Sequence, residues 1–412
     1  MAEFNAFTVD GSDPSPDPTP SEPPTPEVPK DAISLSDGTV TVRARRDFPQ
    51  VIDYTVGHAH MAGRIGSPLT KVRINGTDHV ATVSAPTTTG SSASWKLTFR
   101  DLPGVELTAN IKVSDGVMTW SISHIVDTPD RRVNIVSVPG LTLASVTSTD
   151  PKAQLSSANI VVDRNKTGDL FQPLATADVS QDTSWVAMAN DSTLAAGFED
   201  NATQDGLVGS AATVARFVHS ISQVGGTKVG AIEPATWVHR GKGSATPCPT
   251  DSLGNKAVCQ LPGGATVKDG IGPDPDTPYV RVKIVADANA DGKVDWQDAA
   301  VATRDVTMKP TGSGDVANKV ITHIPFNIVS QATHPFLRTL DDVKRISLAT
   351  DGLGQQALLK GYQAEGHDSA HPDYGGNVSH RAGGMKDLEK LTESGRQWNT
   401  DFGIHVNLVE SY

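Results

Sequence analysis

Residues 286–305 read ADANADGKVDWQDAAVATRD, and the spacing of the oxygen-bearing side chains in this stretch is the most specific signal in the chain. Aspartate and asparagine alternate with other residues over a tight turn, which directs their oxygens towards one point, and a glycine permits the turn. This is the pattern of an EF-hand-type loop, which binds calcium through several oxygens at about 2.3–2.6 Å. The predicted structural Ca²⁺ site covers residues 287–298, and its ligands are Asp287, Asn289, Asp291, the backbone carbonyl of Lys293, Asp298 and, directly or through a water, Asp295.

The last ligand position of this loop departs from the EF-hand pattern. It holds Asp298 where the pattern has glutamate, and the shorter acid requires the following helix to lie closer to the ion. The alanine-rich segment 296–305 favours such a helix. The alternative is an acidic, solvated turn without a metal.

Before this loop, apolar residues mostly recur with a period of two. Segments such as WKLTFRDL at 95–102 and ELTANIKVSDG at 106–116 alternate apolar with polar residues and stop at turn-forming residues. Many short strands without a long helical pattern predict a large antiparallel β-sandwich, which we place at residues 31–272. His58 and His60 could form a ligand pair on one strand, but a surface or substrate-facing position is the simpler interpretation.

After residue 320 the pattern changes to strands that alternate with helices. The predicted order is a strand at 321–330, a helix capped by Thr339, a strand at 356–363, a helix at 385–399 and a strand at 403–412. Buried strands joined by helices are typical of a parallel α/β structure, and a (β/α)₈ barrel places its chemistry on loops at the carboxyl ends of its strands. We therefore expect residues 273–412 to contain the first three strands of such a barrel. Because three strands leave sheet edges open, we also expect the chain to be cut from a longer protein.

Charge and composition exclude several classes of protein. The 412 residues include 35 lysines and arginines against 47 aspartates and glutamates, for a net charge of −12, so nucleic acid is not expected as a partner. No apolar run approaches the ~20 residues of a membrane span, and no signal peptide is visible. Residues 12–29 are rich in proline, serine and threonine, so residues 1–30 are predicted to be a disordered linker.

The two cysteines lie close together in the chain. The spacing of Cys248 and Cys259 suits a local disulfide in an oxidising compartment. Two free thiols are the alternative.

The carboxyl-terminal motifs resemble a known family. The run HIPFNIVSQATHPFLRTLDDVKRISLATDGLGQQALLKGYQAEGHDSAH at 323–371, with MKDLEKL at 385–391 and FGIHVNLVESY at 402–412, resembles the endo-α-N-acetylgalactosaminidases of mucin-degrading bacteria, glycoside hydrolase family 101. The loop DANADGKVDWQD at 287–298 resembles the same family. In order along the chain, the resemblance covers residues 31–412.

This resemblance implies an extracellular or cell-wall-associated hydrolase of O-glycosylated, mucin-type glycoproteins. The family releases the core-1 disaccharide, galactosyl-β-1,3-N-acetylgalactosamine, from serine or threonine with retention at the anomeric carbon, which requires two carboxyls about 5–5.5 Å apart. The predicted sandwich would be a galactose-mutarotase-like domain, and the calcium loop would begin the catalytic domain. The family's nucleophile and acid/base belong to barrel strands beyond Tyr412, so no catalytic residue is assigned in this chain.

One loop matches the substrate-contacting motif of the family. In the GHD triplet, Asp368 corresponds to an aspartate that can accept hydrogen bonds from two sugar hydroxyls, and His367 is a second candidate for substrate binding. A turn-forming role is the alternative for Asp368, and orientation of the loop is the alternative for His367 and His371. Glu365 and Asp373 are not expected to be a catalytic pair.

Two other functions compete with a hydrolase. A calcium-stabilised, non-catalytic carbohydrate-binding module would also account for a β-sandwich with one calcium loop. A dockerin-type interaction module is disfavoured, because dockerins carry two tandem copies of such a loop and the sequence contains one, at 287–298.

Overall fold

The computed structural model describes residues 24–128, 130, 131, 133, 135–158, 160–161, 164–165, 171–178, 180–201, 213–214, 216–239, 277–309, 311–327, 332–367 and 376–406. Cys248, Cys259 and Asp368 lie outside these ranges, and so does most of the predicted linker. None of the helices in the described ranges is both long and apolar enough to cross a membrane.

The described residues form mostly short strands, with three α-helices towards the carboxyl terminus. In chain order the strands are β1 (Ile33–Ser36), β2 (Thr41–Ala44), β3 (Val51–Val56), β4 (Ala59–Ala62), β5 (Lys71–Ile74), β6 (Thr77–Val83), β7 (Thr87–Thr88), β8 (Ser92–Phe99), β9 (Glu106–Ser114), β10 (Val117–Val126), β11 (Ile135–Ser137), β12 (Ala144–Thr147), β13 (Gln154–Ala158), β14 (Ile160–Val161), β15 (Arg164–Asn165), β16 (Phe171–Pro173), β17 (Ser180–Ser184), β18 (Val186–Asn190), β19 (Ala195–Asp200), β20 (Thr213–Val214), β21 (Phe217–Val224), β22 (Thr227–Pro234), β23 (Trp237–Val238), β24 (Tyr279–Val285), β25 (Lys319–His323), β26 (Gly354–Leu359) and β27 (Thr400–Ile404). The helices are α1 (Trp296–Val306), α2 (Phe336–Ala349) and α3 (Gly384–Gly395), and short 3₁₀ turns cover Ser313–Val316 and Arg396–Trp398.

The chain divides into two compact units, Met1–Met308 and Lys309–Tyr412. In the first unit, one sheet has eight strands in the order β1-β2-β3-β4-β12-β22-β21-β17. A second sheet runs β16-β13-β18-β19-β24-β10-β9-β8-β6-β5-β11-β23, with β7 paired to β8, and a small sheet runs β15-β14-β20. Neighbouring described strands in these sheets are antiparallel, as the period-two pattern predicts.

One hydrophobic core joins the inner faces of the two large sheets. Along β8 and β9 every second residue is buried, so the alternating residues of the sequence supply this core. Trp95 and Trp120, on the second sheet, donate their indole N–H groups to the carbonyl oxygens of Arg46 and Pro49 at 3.0 and 2.8 Å. Arg46 and Pro49 lie in the turn between β2 and β3, so these bonds tie one sheet to the other.

The structural boundary between the units differs from the boundary that the sequence predicts. The sequence places a division after residue 272, whereas β24 lies inside the second large sheet, between β19 and β10. The first unit therefore extends to Met308 and includes the predicted calcium loop and α1. The antiparallel pairing of β24 with β10 and β19 places it there, and such pairing between distant strands leaves no local signal in the sequence.

Helix α1 lies close against β19. A Cβ at Gly197 would overlap the backbone nitrogen of Thr303 and lie 2.5 Å from the carbonyl carbon of Ala302. Only glycine allows this approach, because no other residue lacks a Cβ. Ala299 and Ala302 are fully buried on the same side of the helix.

The second unit contains a parallel sheet in the order β25-β26-β27. Helix α2 connects β25 to β26, and α3 connects β26 to β27. Phe336, Leu359 and Leu391 belong to the buried cluster between the helices and the sheet. The predicted alternation of strands and helices is therefore present in this unit.

Two predicted details of this unit are wrong. Thr339 does not cap α2, because the helix begins at Phe336, whose N–H donates to the carbonyl oxygen of Ala382 at 2.8 Å. This contact to a distant residue starts the helix one turn early and buries Thr339 inside it. The third strand begins at Thr400 rather than Gly403, since Asn399, with φ of 51°, turns the chain directly into β27.

Candidate functional site

The carboxyl ends of β25, β26 and β27 meet at one edge of the parallel sheet, as parallel strands must. Beyond β26 the chain folds back onto the end of β25: the N–H of Asn327 donates to the carbonyl oxygen of Lys360 at 2.9 Å. The N–H of His367 then donates to the carbonyl oxygen of Asn327 at 2.7 Å. These two bonds fix the start of the GYQAEGHD loop against the neighbouring strand end.

Gly361 makes this close approach possible. Its φ is +81°, a region that favours glycine. A Cβ there would overlap the carbonyl oxygen of Asn327 and lie 2.6 Å from the amide nitrogen of His367. The glycine in LKGYQ is thus required by the backbone geometry of the edge.

Three rings follow the three strand ends. The ring centroids of Phe326 and His367 are 5.2 Å apart, and those of His367 and His405 are 5.3 Å apart. The ammonium of Lys360 lies 5.1 Å from the centroid of Phe326. Flat rings with a few polar atoms among them are typical of small-molecule sites, and they could contact the apolar face of a sugar ring.

The structure places His367 at this edge, whereas Asp368, His371 and Asp373 lie outside the described residues. Glu365 is at the same loop, where its carboxylate lies 3.1 Å from Arg381. Both side chains are more than half exposed, so this ion pair contributes little to stability.

Sequence reasoning misses two buried amides near this edge. The side chain of Asn327 accepts a hydrogen bond from the backbone N–H of His334 at 2.8 Å and donates one to its carbonyl oxygen at 3.0 Å. Gln363 is fully buried, and within the described ranges its amide nitrogen and oxygen have no hydrogen-bond partner. An asparagine directly after an apolar strand was the available signal for Asn327, whereas nothing in the sequence distinguishes Gln363.

The predicted calcium loop is a tight turn closed by hydrogen bonds from backbone N–H groups to its acidic side chains. Asp287 accepts hydrogen bonds from the N–H groups of Asp291 and Gly292 at 3.0 and 2.8 Å. Gly292 has φ of 84°, in agreement with the role of glycine at this position. The carboxylate of Asp298 is fully buried and accepts bonds from Ala288 and Asn289 at 2.7 and 3.1 Å.

Helix α1 begins where the loop ends. Asp295 accepts a bond from the N–H of Gln297 at 2.8 Å, and Asp298 accepts one from the N–H of Asp295 at 3.0 Å, which together form a capping box. The bond from Gln297 lowers the pKa of Asp295, and Lys293 assists this despite an opposing effect of partial burial. The hydrogen bond to Asp295 raises the pKa of Lys293. Both groups are therefore charged at neutral pH.

The oxygen atoms of this loop are of the chemical type that calcium binds, but their arrangement in the structure is not that of a calcium site. Hard oxygens surround a glycine turn, as calcium prefers. However, the ammonium of Lys293 lies 3.1 Å from Asp295 and 3.5 Å from Asp291, so a cation is already paired with two of the acids. In the part of the chain that the structure describes, no three histidine, cysteine, aspartate or glutamate side chains stand close enough to hold a metal. A calcium ion would have to displace the lysine.

Two family models match the chain, and the larger match covers residues 35–296 with the galactose mutarotase-like fold domain. The chain belongs to the galactose mutarotase-like fold family. Residues 297–412 match the endo-alpha-N-acetylgalactosaminidase family of glycoside hydrolases, which confirms the resemblance drawn from the sequence. The boundary between the two family matches falls at the start of α1. Helix α1 nevertheless packs on the mutarotase-like domain and belongs to the first compact unit.

One longer relative matches most of this chain. A protein of Renibacterium salmoninarum, provisionally named an endo-alpha-N-acetylgalactosaminidase, is 39% identical over 389 residues. The match covers 92% of this chain and 24% of the relative. The chain thus spans about a quarter of the length of that relative.

Solved structures with a similar fold include two family 36 alpha-galactosidases of Geobacillus stearothermophilus. A variant of AgaA in complex with stachyose gives a TM-score of 0.51 at 11% identity and covers 91% of this chain and 56% of AgaA. AgaB gives 0.50 at 10% identity, with 91% and 55% covered. At these identities the likeness concerns the fold alone.

Proposed function

We propose that this chain supplies part of a retaining endo-α-N-acetylgalactosaminidase. The whole protein would release the core-1 disaccharide from serine or threonine of O-glycosylated, mucin-type glycoproteins. The observation that carries the proposal is the edge formed by Phe326, His367 and His405, which lies within the segment that matches the hydrolase family. Rings and polar groups at the carboxyl ends of parallel strands are suited to bind a sugar.

We also propose that β25, β26 and β27 are the first strands of a (β/α)₈ barrel. They pair in sequence order, they are parallel, and a helix follows each of the first two, as in that fold. Later strands would supply the nucleophile and the acid/base, about 5–5.5 Å apart. The residues of this chain would bind and orient the sugar.

In this proposal Asp368 accepts hydrogen bonds from two hydroxyls of the sugar. His367 is held next to it through the backbone bond to Asn327 and lies beside the ring of His405. A carboxylate that binds paired hydroxyls gives orientation as well as affinity, because both bonds require one placement of the ring.

The test is hydrolysis by the protein encoded by the complete reading frame that contains this chain. We expect release of p-nitrophenol from the α-glycoside of the core-1 disaccharide, with the α-anomer as the first product by NMR. Asp368→Asn should lower kcat/KM at least tenfold, while the exposed turn variant Asp351→Asn should not. Absence of release, or a β-anomer first, contradicts the enzyme proposal; an unchanged kcat/KM for Asp368→Asn removes that residue from the site.

We propose that calcium, when bound at residues 287–298, stabilises the loop and α1 and takes no part in the reaction. At a calcium concentration one hundred times Kd, a single site adds about 2.7 kcal/mol to the free energy of unfolding. Melting of this chain with calcium and with a chelator measures that difference. Asp287→Ala should abolish the calcium-dependent increase, whereas Asp315→Ala, outside the loop, should retain it. If chelator does not change the melting temperature of the parent protein, residues 287–298 are not a calcium site.

We further propose that the protein acts outside the cell or at the cell wall. The support is chemical: O-glycosylated mucin-type glycoproteins are the proposed substrates, and these are extracellular. Detection of the protein in the culture medium or the cell-wall fraction tests this location, and exclusive recovery from the cytoplasm contradicts it.

A further inference from the structure

The mutarotase-like domain contains a cavity of about 480 Å³ that none of the predictions above uses. Its floor is the outer face of the eight-stranded sheet. Arg43, Asp53, Ala62 and Ser145 are cross-strand partners on β2, β3, β4 and β12, so their side chains leave the sheet on one side. Their strand neighbours Val42 and Tyr54 point the other way, into the core.

The roof of the cavity is the end of the proline-rich segment. Pro24, Thr25, Pro26 and Val28 all contribute to the lining. Prolines hold this segment extended and offer flat apolar surfaces without N–H groups. The cavity therefore has a polar floor and a largely apolar roof.

The charges of the floor cancel each other. The guanidinium of Arg43 binds the carboxylate of Asp53 through two parallel hydrogen bonds, of which the Nε–Oδ1 bond is 2.7 Å. The side chain of Asp53 is 9% exposed, so this pair is fixed in place. The hydrogen bond from Arg43 to Asp53 raises the pKa of the arginine, and the pair presents fixed donors and acceptors without net charge.

The rim adds negative charge only. Asp150 and Asp191 both line the cavity. Partial burial raises the pKa of Asp150, but hydrogen bonds from Ser192 and Lys152 outweigh it and leave this pKa below its usual range. A rim with two aspartates repels anions and can accept hydrogen bonds from hydroxyl groups.

Hydroxyl and imidazole groups complete the lining. His60 and Thr147 lie on neighbouring strands, two residues along from Ala62 and Ser145, and therefore on the same face of the sheet. Nδ1 of His60 is hydrogen-bonded to the hydroxyl of Thr55 at 3.0 Å, which fixes the orientation of the ring. A few placed polar groups among apolar walls, in a volume of about 300–1,000 Å³, are typical of a small-molecule site.

We propose that this cavity binds an uncharged carbohydrate of one or two sugar rings. Hydroxyl groups of the sugar would pair with the carboxylates of the rim and with the polar floor, and its C–H face would lie against Pro24 and Pro26. This binding requires no hydrolysis, so it goes beyond the proposed function and does not depend on it.

The test is isothermal titration of the chain as it stands with methyl α-galactopyranoside and with the methyl α-glycoside of the core-1 disaccharide. We expect heat from at least one of them. Ala62→Phe fills the floor and should weaken binding at least tenfold, and Ala85→Phe, an exposed control away from the cavity, should not. Methyl α-galacturonide, which adds a carboxylate, should bind at least tenfold more weakly than the galactoside.

The outcomes separate this site from the hydrolase proposal. If neither sugar binds the parent chain, if Ala62→Phe binds as the parent does, or if the galacturonide binds more tightly, the cavity is not a site for uncharged sugars. If Ala62→Phe lowers the melting temperature, Thr149→Trp is used in place of that variant. This substitution narrows the cavity from an exposed position on its rim, and we expect it to weaken sugar binding at least tenfold as well. Hydrolytic activity enters none of these readouts.

Discussion

At the scale of single residues, the clearest constraint on the candidate site is Gly361. Its positive φ and its contact with the backbone of Asn327 and His367 both exclude a side chain. The sequence predicts a strand through this position, at 356–363, and does not show that two strand ends meet at this atom. That meeting depends on the parallel pairing of β25 with β26, which joins residues far apart in the chain.

We predict that Gly361→Ala destabilises the second unit and displaces the His367 loop. Gly352→Ala is the matched control, because Gly352 has φ of +80° and nothing within 4 Å of a built Cβ. The control should cost about 1 kcal/mol from backbone conformation alone. Gly361→Ala should cost more than about 3 kcal/mol, since the backbone must also shift. Equal melting temperatures for the two variants would show that the close approach does not exist.

A buried carboxyl in the first unit gives a prediction about pH. Glu233 accepts a hydrogen bond from the N–H of Gly140 at 2.9 Å. Burial raises its pKa above the usual range of a glutamate, against the opposing effects of that bond and of the Arg64 charge. A raised pKa in the folded state means that the protonated carboxyl is favoured, so its contribution to stability is present at low pH and is lost as pH rises through the folded pKa.

Glu233→Gln should therefore raise the melting temperature relative to the parent at pH 7. The difference should shrink towards zero at pH 4, where the parent carboxyl is largely protonated as well. Melting curves at both pH values measure it, with the exposed Glu389→Gln as the control. If the melting temperature of Glu233→Gln is below that of the parent by the same amount at pH 7 and at pH 4, the pKa of Glu233 is not raised in the folded protein.

At the scale of elements, the packing of α1 on β19 requires a residue without a side chain at position 197. Gly197→Ala should push the helix away from the strand, because the new methyl group meets the helix backbone at Thr303 rather than a flexible side chain. We expect a loss of about 1–3 kcal/mol, measured by thermal unfolding. Gly90→Ala, which meets nothing within 4 Å, should leave stability nearly unchanged. Equal effects of the two substitutions would place α1 elsewhere.

Elements were predictable where their signals are local. The loop at 287–298 follows from the spacing of its oxygen-bearing residues, and helix α1 follows from its alanine content. The start of α2 was not predictable, because the contact from Phe336 to Ala382 takes precedence over the local signal of Thr339. Of the candidate site, the sequence identifies the GHD loop, but it does not identify the buried amide of Gln363.

At the scale of the whole molecule, the division into two units implies two unfolding transitions. Strand β24 and the calcium loop belong to the first unit by their hydrogen bonds and packing. Differential scanning calorimetry should therefore resolve two transitions, and calcium should raise only that of the mutarotase-like unit. A calcium-dependent shift confined to the other transition would return the loop to the catalytic segment, where the sequence places it.

The sequence could not place this boundary, because the deciding partners of β24 are β10 and β19. Val117 pairs with Lys283, and Ala195 pairs with Val285, across long stretches of chain. A break rich in glycine and proline at 262–278 marks a connection between strands, and such a break is equally compatible with one sheet or with two domains.

The hydrogen bonds to Asp298 also have a consequence for the rates of folding and unfolding. The loop is already closed by backbone N–H groups, and Lys293 balances its carboxylates, so little chain remains to be ordered when an ion arrives. Folding should then run at the same speed in calcium-poor and calcium-rich media, while the ion slows only the reverse step. If the loop binds calcium, we expect the ion to lengthen the lifetime of the folded unit, because Lys293 already balances the acids of the loop before any ion binds.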